Sequence, residues 1–121
     1  MPTVLVVDDD VDFREALQEA LLTHGCEVRV AGDADHACQV VADGGVDVVV
    51  SDVRMPGDGS RLAKRLQALP APPPVILMTA FDEPGTRERV LREGAFAYLP
   101  KPVSLAWLRR VIESALSRPP A

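Results

Sequence analysis

The sequence predicts an α/β fold, a doubly wound parallel sheet of five strands accompanied by five helices. Short apolar runs, which suit strands buried on both faces, alternate with segments whose apolar residues recur at helical spacing. Five such units fill the 121 residues, and the chain is too short for an eight-unit barrel. No repeat or linker interrupts the pattern. Residues 1–121 are therefore predicted to form one domain, with 118–121 as a frayed tail or the start of a linker.

The first half of the chain supplies three strands and two helices. Strands are predicted at residues 4–7, 27–31 and 46–50, where Val dominates. Two amphipathic helices lie between them, and Gly25 and Gly44 are their predicted stops. The apolar faces of these helices consist of Phe13, Ala16, Leu17, Ala20 and Leu21, and of Ala34, Ala37, Cys38 and Val41.

The second half continues the alternation. The stripe of Leu62, Leu66 and Leu69 predicts a third helix, which the prolines of residues 70–74 break. Strands are predicted at residues 75–78 and 96–99, with a weaker helix between them that carries Val90 and Leu91 and stops at Gly94. Ser104 is the predicted N-cap of the last helix. Its apolar face consists of Leu105, Leu108, Val111, Ile112 and Ala115.

Composition excludes several classes of protein. The net charge of −5 argues against a general nucleic-acid binder. The N-terminus shows no signal-peptide pattern, and the apolar runs are far too short for a membrane span. Cys26 and Cys38 lack metal-ligand spacing and sit in apolar patterns. They are interpreted as reduced thiols of a cytoplasmic protein.

Polar residues follow the apolar runs at the points where four of the strands end. In chain order they are Asp8, Asp9 and Asp10, then Asp52, Thr79 and Lys101. The carboxyl ends of parallel strands meet at one edge of a sheet, where sites form. A carboxylate cluster there suits a hard cation such as Mg²⁺. One carboxylate could then attack phosphorus, with a lysine and a hydroxyl stabilising the phosphoryl oxygens.

Four motifs, in order along almost the whole chain, carry a resemblance to a known family. They read VLVVDDD at residues 4–10, SDVRMPGDG at 51–59, VILMTAF at 75–81 and YLPKP at 98–102. The chain resembles receiver domains of two-component response regulators. The second and third motifs are most similar to those of receivers of the nitrogen-regulation type. The resemblance implies a flavodoxin-like sheet with strand order 2-1-3-4-5.

The resemblance also implies a role for each residue of the site. Asp52 would accept the phosphoryl group. Asp9 would bind Mg²⁺ directly, Asp8 mainly through water, and Asp52 and the backbone carbonyl of Arg54 would complete the protein ligands, with Mn²⁺ as a substitute metal.

Three further residues are assigned in the same way. Lys101 would pair with the phosphoryl group, and its peptide bond to Pro102 would be cis. Thr79 would move toward the phosphoryl group, and Tyr98 would rotate in response. The two together would form the switch.

The implied function is a signalling switch rather than an enzyme, with no activity beyond its own phosphorylation and autodephosphorylation. The implied partners are a histidine kinase or phosphotransfer protein, and an effector that docks on the last two helices. Neither nucleic acid nor membrane is a direct partner, and the expected state is a monomer or weak dimer. The chain would be a stand-alone receiver, which Met1 favours, or part of a longer regulator.

Two departures from the family pattern lie near the predicted site. The loop at residues 55–59 is one residue shorter than usual, which still places Leu62 and Leu66 in register as core positions. Phe81, two residues after Thr79, is large and apolar. With Arg54 it should flank the path of attacking water, so we expect it to slow loss of the phosphoryl group.

Other interpretations of these residues stay open at this point. Asp8 and Asp10 have the spacing of a haloacid-dehalogenase-like phosphohydrolase, although Asp12 departs from that pattern and Asp52 would have no role. A degenerate receiver used only for binding is a further alternative, which the complete residue set disfavours. Asp10 could equally be a plain helix N-terminal charge, and Tyr98 a plain core residue.

Overall fold

The computed structural model describes residues 1–54, 59–81 and 83–117. Its strands are β1 Thr3–Val7, β2 Glu27–Ala31, β3 Val48–Asp52, β4 Val75–Thr79 and β5 Ala97–Pro100. Its helices are α1 Val11–Thr23, α2 Ala34–Ala42, α3 Leu62–Leu66, α4 Thr86–Arg92 and α5 Leu105–Ser117, and a 3₁₀ turn at Gly59–Arg61 precedes α3. In these ranges no helix combines the length and apolar character that a bilayer span requires. The expected tail at 118–121 lies outside the described residues.

All five strands pair in parallel, in the order β2-β1-β3-β4-β5. This confirms the predicted fold class and strand order. Because the chain leaves β1 toward β2 and later crosses to β3, the strand order reverses beside β1, which is where open parallel sheets form their sites. The register sets Val7 opposite Ser51 and Asp52 opposite Met78, so the carboxyl ends of the central strands are level.

The core forms two clusters, one on each face of the sheet. Alternate residues of a strand point to opposite faces. Val4 and Val6 therefore pack with α1 and α5, whereas Leu5 and Val7 pack with α2, α3 and α4. Both faces of β1 are fully buried. Helices thus cover the sheet on both sides, as the doubly wound prediction requires.

The third strand differs from its prediction at both ends. It was expected at residues 46–50 and lies at Val48–Asp52. Val46 only packs against the core cluster from outside the strand, and the Asp47 carboxylate accepts the Thr3 N–H at 2.7 Å. The strand continues further because Ser51 and Asp52 still pair with β4. Asp52, which was expected at the end of this strand, is its last residue.

The third helix and the last strand also differ from their predictions. Leu62 and Leu66 are buried as expected, but α3 ends at Leu66, and the Leu69 N–H donates to the Leu66 carbonyl at 3.0 Å in a tighter turn. Strand β5 is shifted by one residue from the predicted 96–99 and includes Pro100. A proline is tolerated there because β5 is an edge strand and the missing N–H removes no ladder bond from a second neighbour.

Ser104 caps α5 as predicted. Its Oγ accepts the Trp107 N–H at 3.0 Å, and its carbonyl accepts the Leu108 N–H at 3.0 Å. Ser104 is exposed, so its removal should affect little besides the cap. We expect Ser104→Ala to lower the free energy of unfolding by about 1 kcal/mol in urea denaturation. Ser104→Asp should restore most of it, and equal losses in both variants would show that the cap is not the cause.

Candidate functional site

The carboxyl edge of the sheet brings together the side chains that the sequence singled out. Asp8 follows β1 and Lys101 follows β5, while Asp52 and Thr79 end β3 and β4. The ladder continues into these positions, since the Lys101 N–H donates to the Thr79 carbonyl at 2.6 Å. Four strands therefore fix the backbone of the site.

Lys101 is the centre of the side-chain arrangement. Its Nζ donates to Asp52 Oδ2 at 3.0 Å and lies 3.7 Å from Asp8 Oδ2. It also lies 4.3 Å from the centre of the Phe13 ring. The peptide bond between Lys101 and Pro102 is cis. One ammonium thus lies between two carboxylates and can balance the charge of only one of them.

Asp8 is a buried carboxylate whose two oxygens differ. Only 1% of the residue is exposed. Its Oδ1 accepts the Asp10 N–H at 2.9 Å, whereas Oδ2 accepts no hydrogen bond from the described groups and has only the longer ion pair with Lys101. Burial raises the pKa of the Asp8 carboxyl, and the charges of Asp52 and Asp9 add to the rise. The Asp10 amide and Lys101 act in the opposite direction. Because a buried charged oxygen without a hydrogen bond is costly, Asp8 Oδ2 is a candidate ligand for a further cation.

Asp52 is the accessible carboxylate of the pair. Its side chain is 15% exposed, against 1% for Asp8. The Arg54 N–H donates to its Oδ1 at 2.9 Å, and Lys101 donates to Oδ2. Asp52 is therefore held at both oxygens and is the more exposed of the two carboxylates.

The donor set fits Mg²⁺. Among the described residues no three acidic, His or Cys side chains surround a single point as a closed metal cage would require. Mg²⁺ does not need one, because it retains several waters and binds through one or two carboxylates. The buried, unsatisfied Oδ2 of Asp8, close to Asp52 and to the exposed Asp9, is the observation that supports such a site.

Thr79 reaches the edge of the site, but its hydroxyl is engaged within its own loop. It is 1% exposed. Its Oγ1 accepts the Phe81 N–H and donates to the Phe81 carbonyl, both at 3.0 Å. Tyr98, its expected partner in the switch, is 3% exposed and packs in the cluster with Val90 of α4. In this structure the Thr79 hydroxyl is therefore hydrogen-bonded to Phe81, and the Tyr98 side chain is buried.

Arg54 and Phe81, which were expected to flank the path of attacking water, contact each other, and we call this pair the cover. The Arg54 guanidinium lies 4.5 Å from the centre of the Phe81 ring. It also donates to the Glu83 carboxylate from the next loop. Phe81 is 61% exposed, so the cover is a surface feature.

Sequence reasoning missed two residues of the site. From the sequence, Phe13 was assigned only to the apolar face of the first helix, and Glu83 was given no role. The capping residue Asp10 could have indicated the position of Phe13. Its Oδ1 accepts the Phe13 N–H at 3.2 Å, so α1 begins at the carboxyl edge of the sheet. A ring in the first turn of a helix that starts there has to lie near the site. Asp10 itself is a capping residue, and the shortened loop at residues 55–58 lies outside the described residues.

The fold and site define the class of protein, and comparison with known families agrees. The family model described as the response regulator receiver domain matches residues 4–113. The chain belongs to this family.

Individual relatives show the same. The DNA-binding transcriptional regulator NtrC of Azospirillum brasilense is 40% identical over 98% of this chain and 25% of that protein. The regulatory protein AtoC of Escherichia coli strain K12 is 39% identical over 93% of this chain and 25% of that protein. The receiver domain of the Francisella response regulator 1452 has a TM-score of 0.89, with 31% identity over 98% of both chains. This chain spans about a quarter of the length of the first two relatives.

Proposed function

We propose that this receiver domain is a phosphorylation switch in which Asp52 accepts a phosphoryl group from a histidine kinase or phosphotransfer protein. The observation that carries the proposal is the geometry of Asp52. It is the accessible carboxylate at the switch point of the sheet, and Lys101 donates to it at 3.0 Å.

The chemistry follows from the residues present. An oxygen of Asp52 attacks phosphorus while the bond from phosphorus to the donor nitrogen breaks, and the electron pair of that bond stays on the donor. Negative charge lies on the phosphoryl oxygens throughout the transfer. Lys101 is close enough to neutralise part of it, and the Thr79 hydroxyl can donate a hydrogen bond once it leaves the Phe81 carbonyl.

We propose Mg²⁺ as the cofactor, with Mn²⁺ able to replace it. Asp8, Asp9 and Asp52 would hold it together with the backbone carbonyl of Arg54. When bound, the metal supplies positive charge beside the phosphoryl oxygens. The fold contributes the burial of Asp8, because a buried carboxylate is stabilised by a nearby cation.

The output would follow from a change at Thr79. A hydroxyl drawn toward the phosphoryl group gives up its two bonds with Phe81, and space opens beside the buried Tyr98. This would shift the population of a two-state surface formed by α4, β5 and α5, where an effector domain or protein would dock. Free, partly buried thiols at Cys26 and Cys38 suit a reducing compartment, so the proposal includes a cytoplasmic location. A monomer or weak dimer is the proposed state.

Intact mass spectrometry after incubation with acetyl phosphate tests the proposal. The native chain should gain one phosphoryl group in Mg²⁺ and none in its absence, and Asp52→Asn should gain none. Asp47→Asn, which alters an exposed carboxylate at the opposite edge of the sheet, is the matched control and should behave like the native chain. Addition that survives in Asp52→Asn and disappears in Asp8→Asn would replace the proposal with a phosphohydrolase-type nucleophile. No addition to the native chain would indicate a binding module.

Phe81→Ala should accelerate loss of the phosphoryl group. The Arg54 N–H donates to Asp52 and its guanidinium stacks on the Phe81 ring, so removal of the ring would open a path for attacking water. We expect a several-fold shorter lifetime of the phosphorylated chain after the donor is removed, followed by intact mass. Phe81→Leu retains apolar bulk and should fall between the two. Equal or slower loss in Phe81→Ala would contradict the shielding role.

A further inference from the structure

We infer that Phe13 is a positioning residue, which holds the Lys101 ammonium over the acceptor through a cation–π contact. The inference rests on the proposed function, because it concerns the residue expected to stabilise the phosphoryl group. It starts from one distance: Lys101 Nζ lies 4.3 Å from the centre of the Phe13 ring, within the range of an attractive contact.

The surroundings of the ammonium explain why such a contact matters. A lysine side chain is long and flexible, and in water its ammonium would sample many positions. Here the ammonium contacts carboxylates on two sides, through a hydrogen bond to Asp52 and a longer ion pair with Asp8. The Phe13 ring lies on a further side of the ammonium and replaces water there. It attracts the charge without accepting a strong hydrogen bond, so the donors of Lys101 remain directed at the carboxylates.

Phe13 is itself held in place by the helix that carries it. Its backbone N–H donates to the Asp10 cap, and its side chain packs beside the cluster of α1 and α5 core residues. The ring is only partly buried and borders an open apolar groove between α1 and α5, which Leu17 and Leu105 also line. The ammonium is thus bounded on one side by a ring that α1 fixes.

The composition of the chain makes this contact measurable. The sequence contains two lysines, Lys64 and Lys101. Lys64 has a side chain that is 63% exposed. An aromatic ring facing a lysine shifts its ε-methylene proton signals upfield. In carbon-13 lysine-labelled protein the Lys101 signals should therefore lie upfield of those from Lys64, which serves as an internal reference.

Two variants and a control form the experiment. Phe13→Leu retains apolar bulk and removes the ring, whereas Phe13→Tyr retains the ring. Phe96→Leu removes a partly buried phenylalanine from the same core cluster, at the other end of β5 from Lys101, and is the matched control. Each protein is examined by lysine NMR without phosphodonor, and its rate of phosphorylation by acetyl phosphate in Mg²⁺ is measured by intact mass.

The expected result has two parts. Phe13→Leu should move the Lys101 signals to the Lys64 position and slow phosphorylation by about three- to tenfold, the range that one partly desolvated cation–π contact supports. Phe13→Tyr should retain both properties, and Phe96→Leu should match the native chain in both.

Three outcomes would overturn the inference. They are a Lys101 signal in the native chain that coincides with Lys64, a Phe13→Leu variant that loses the shift yet is phosphorylated at the native rate, and an equal loss of rate in Phe96→Leu. A native chain that gains no phosphoryl group overturns the proposed function instead, and the lysine spectra, which need no phosphodonor, then still decide whether the ring contacts Lys101.

Discussion

Lys101→Met will slow phosphorylation of Asp52 by roughly a hundredfold or more. This is the effect expected when one preorganised positive charge is removed from beside the phosphoryl oxygens during transfer. The structure supplies the reason, because Lys101 Nζ is 3.0 Å from the acceptor oxygen and its position is set by β5. Methionine has a similar length and lacks the charge. The rate constant with acetyl phosphate, followed by intact mass, is the measurement.

Lys64→Met is the control for loss of a lysine. Lys64 lies on α3, with its Nζ 4.0 Å from a carboxylate oxygen of Glu93. It should be phosphorylated at the native rate. If Lys101→Met retained the native rate as well, Lys101 would be only a structural counter-ion to Asp8 and Asp52.

Asp8→Asn will stabilise the fold in Mg²⁺-free buffer at neutral pH, by an amount on the order of 1 kcal/mol. A carboxylate that is 1% exposed, with one oxygen lacking a hydrogen bond, carries a desolvation penalty that its ion pair with Lys101 does not offset. Asparagine retains an oxygen for the Asp10 N–H and removes the charge. Urea denaturation measures the difference. Asp12→Asn, an exposed acid in the first turn of α1, should show no such gain.

Magnesium should reverse the order of these stabilities. The native chain should gain about 2 to 3 kcal/mol at Mg²⁺ concentrations near a hundred times its Kd, because the metal binds only the folded state. Asp8→Asn should gain much less, since it lacks one of the proposed ligands. A variant that responded to Mg²⁺ as strongly as the native chain would remove Asp8 from the metal site.

The same carboxyl sets a pH dependence with a defined sign. Burial raises the pKa of Asp8 in the folded state above the ordinary value of 3.8, which applies to the unfolded state. At pH values between the unfolded-state pKa and the folded-state pKa, the folded state therefore binds more protons than the unfolded state. The contribution of Asp8 to the free energy of unfolding therefore falls as pH rises through that window. Without Mg²⁺ the native chain should lose stability relative to Asp8→Asn as pH rises from about 4 toward neutral. A constant difference between the two would show that Asp8 is not the titrating group.

The centre of the sheet was predictable because strands such as β1 and β4 are apolar on both faces, and the structure buries both faces. Strand β2 lies at the predicted residues for another reason, since Val28 and Val30 alternate with the exposed Glu27 and Arg29 on this edge strand. The ends were less predictable where polar residues remain paired, since Asp52 continues the ladder of β3 and only the pairing partner Met78 determines this.

The positions of the site residues were predictable, but their contacts were not. Parallel strands guarantee that Asp8, Asp52, Thr79 and Lys101 share an edge. No local pattern predicts that Lys101 lies against Phe13, because that contact depends on how the start of α1 and the segment after β5 meet at the carboxyl edge of the sheet. The inward position of the Thr79 hydroxyl likewise depends on the path of the loop through Phe81.

The separation of Asp52 and Lys101 along the chain has a consequence for how the site forms during synthesis. Asp52 and Lys101 are 49 residues apart, and Asp8 directly follows the first strand. During synthesis the acceptor carboxylate leaves the ribosome long before the lysine that completes its surroundings. Until the edge strand has docked, a nascent chain therefore lacks the Lys101 contact that Asp52 has in the folded domain. The proposed acceptor site is complete only in chains whose last strand has joined the sheet.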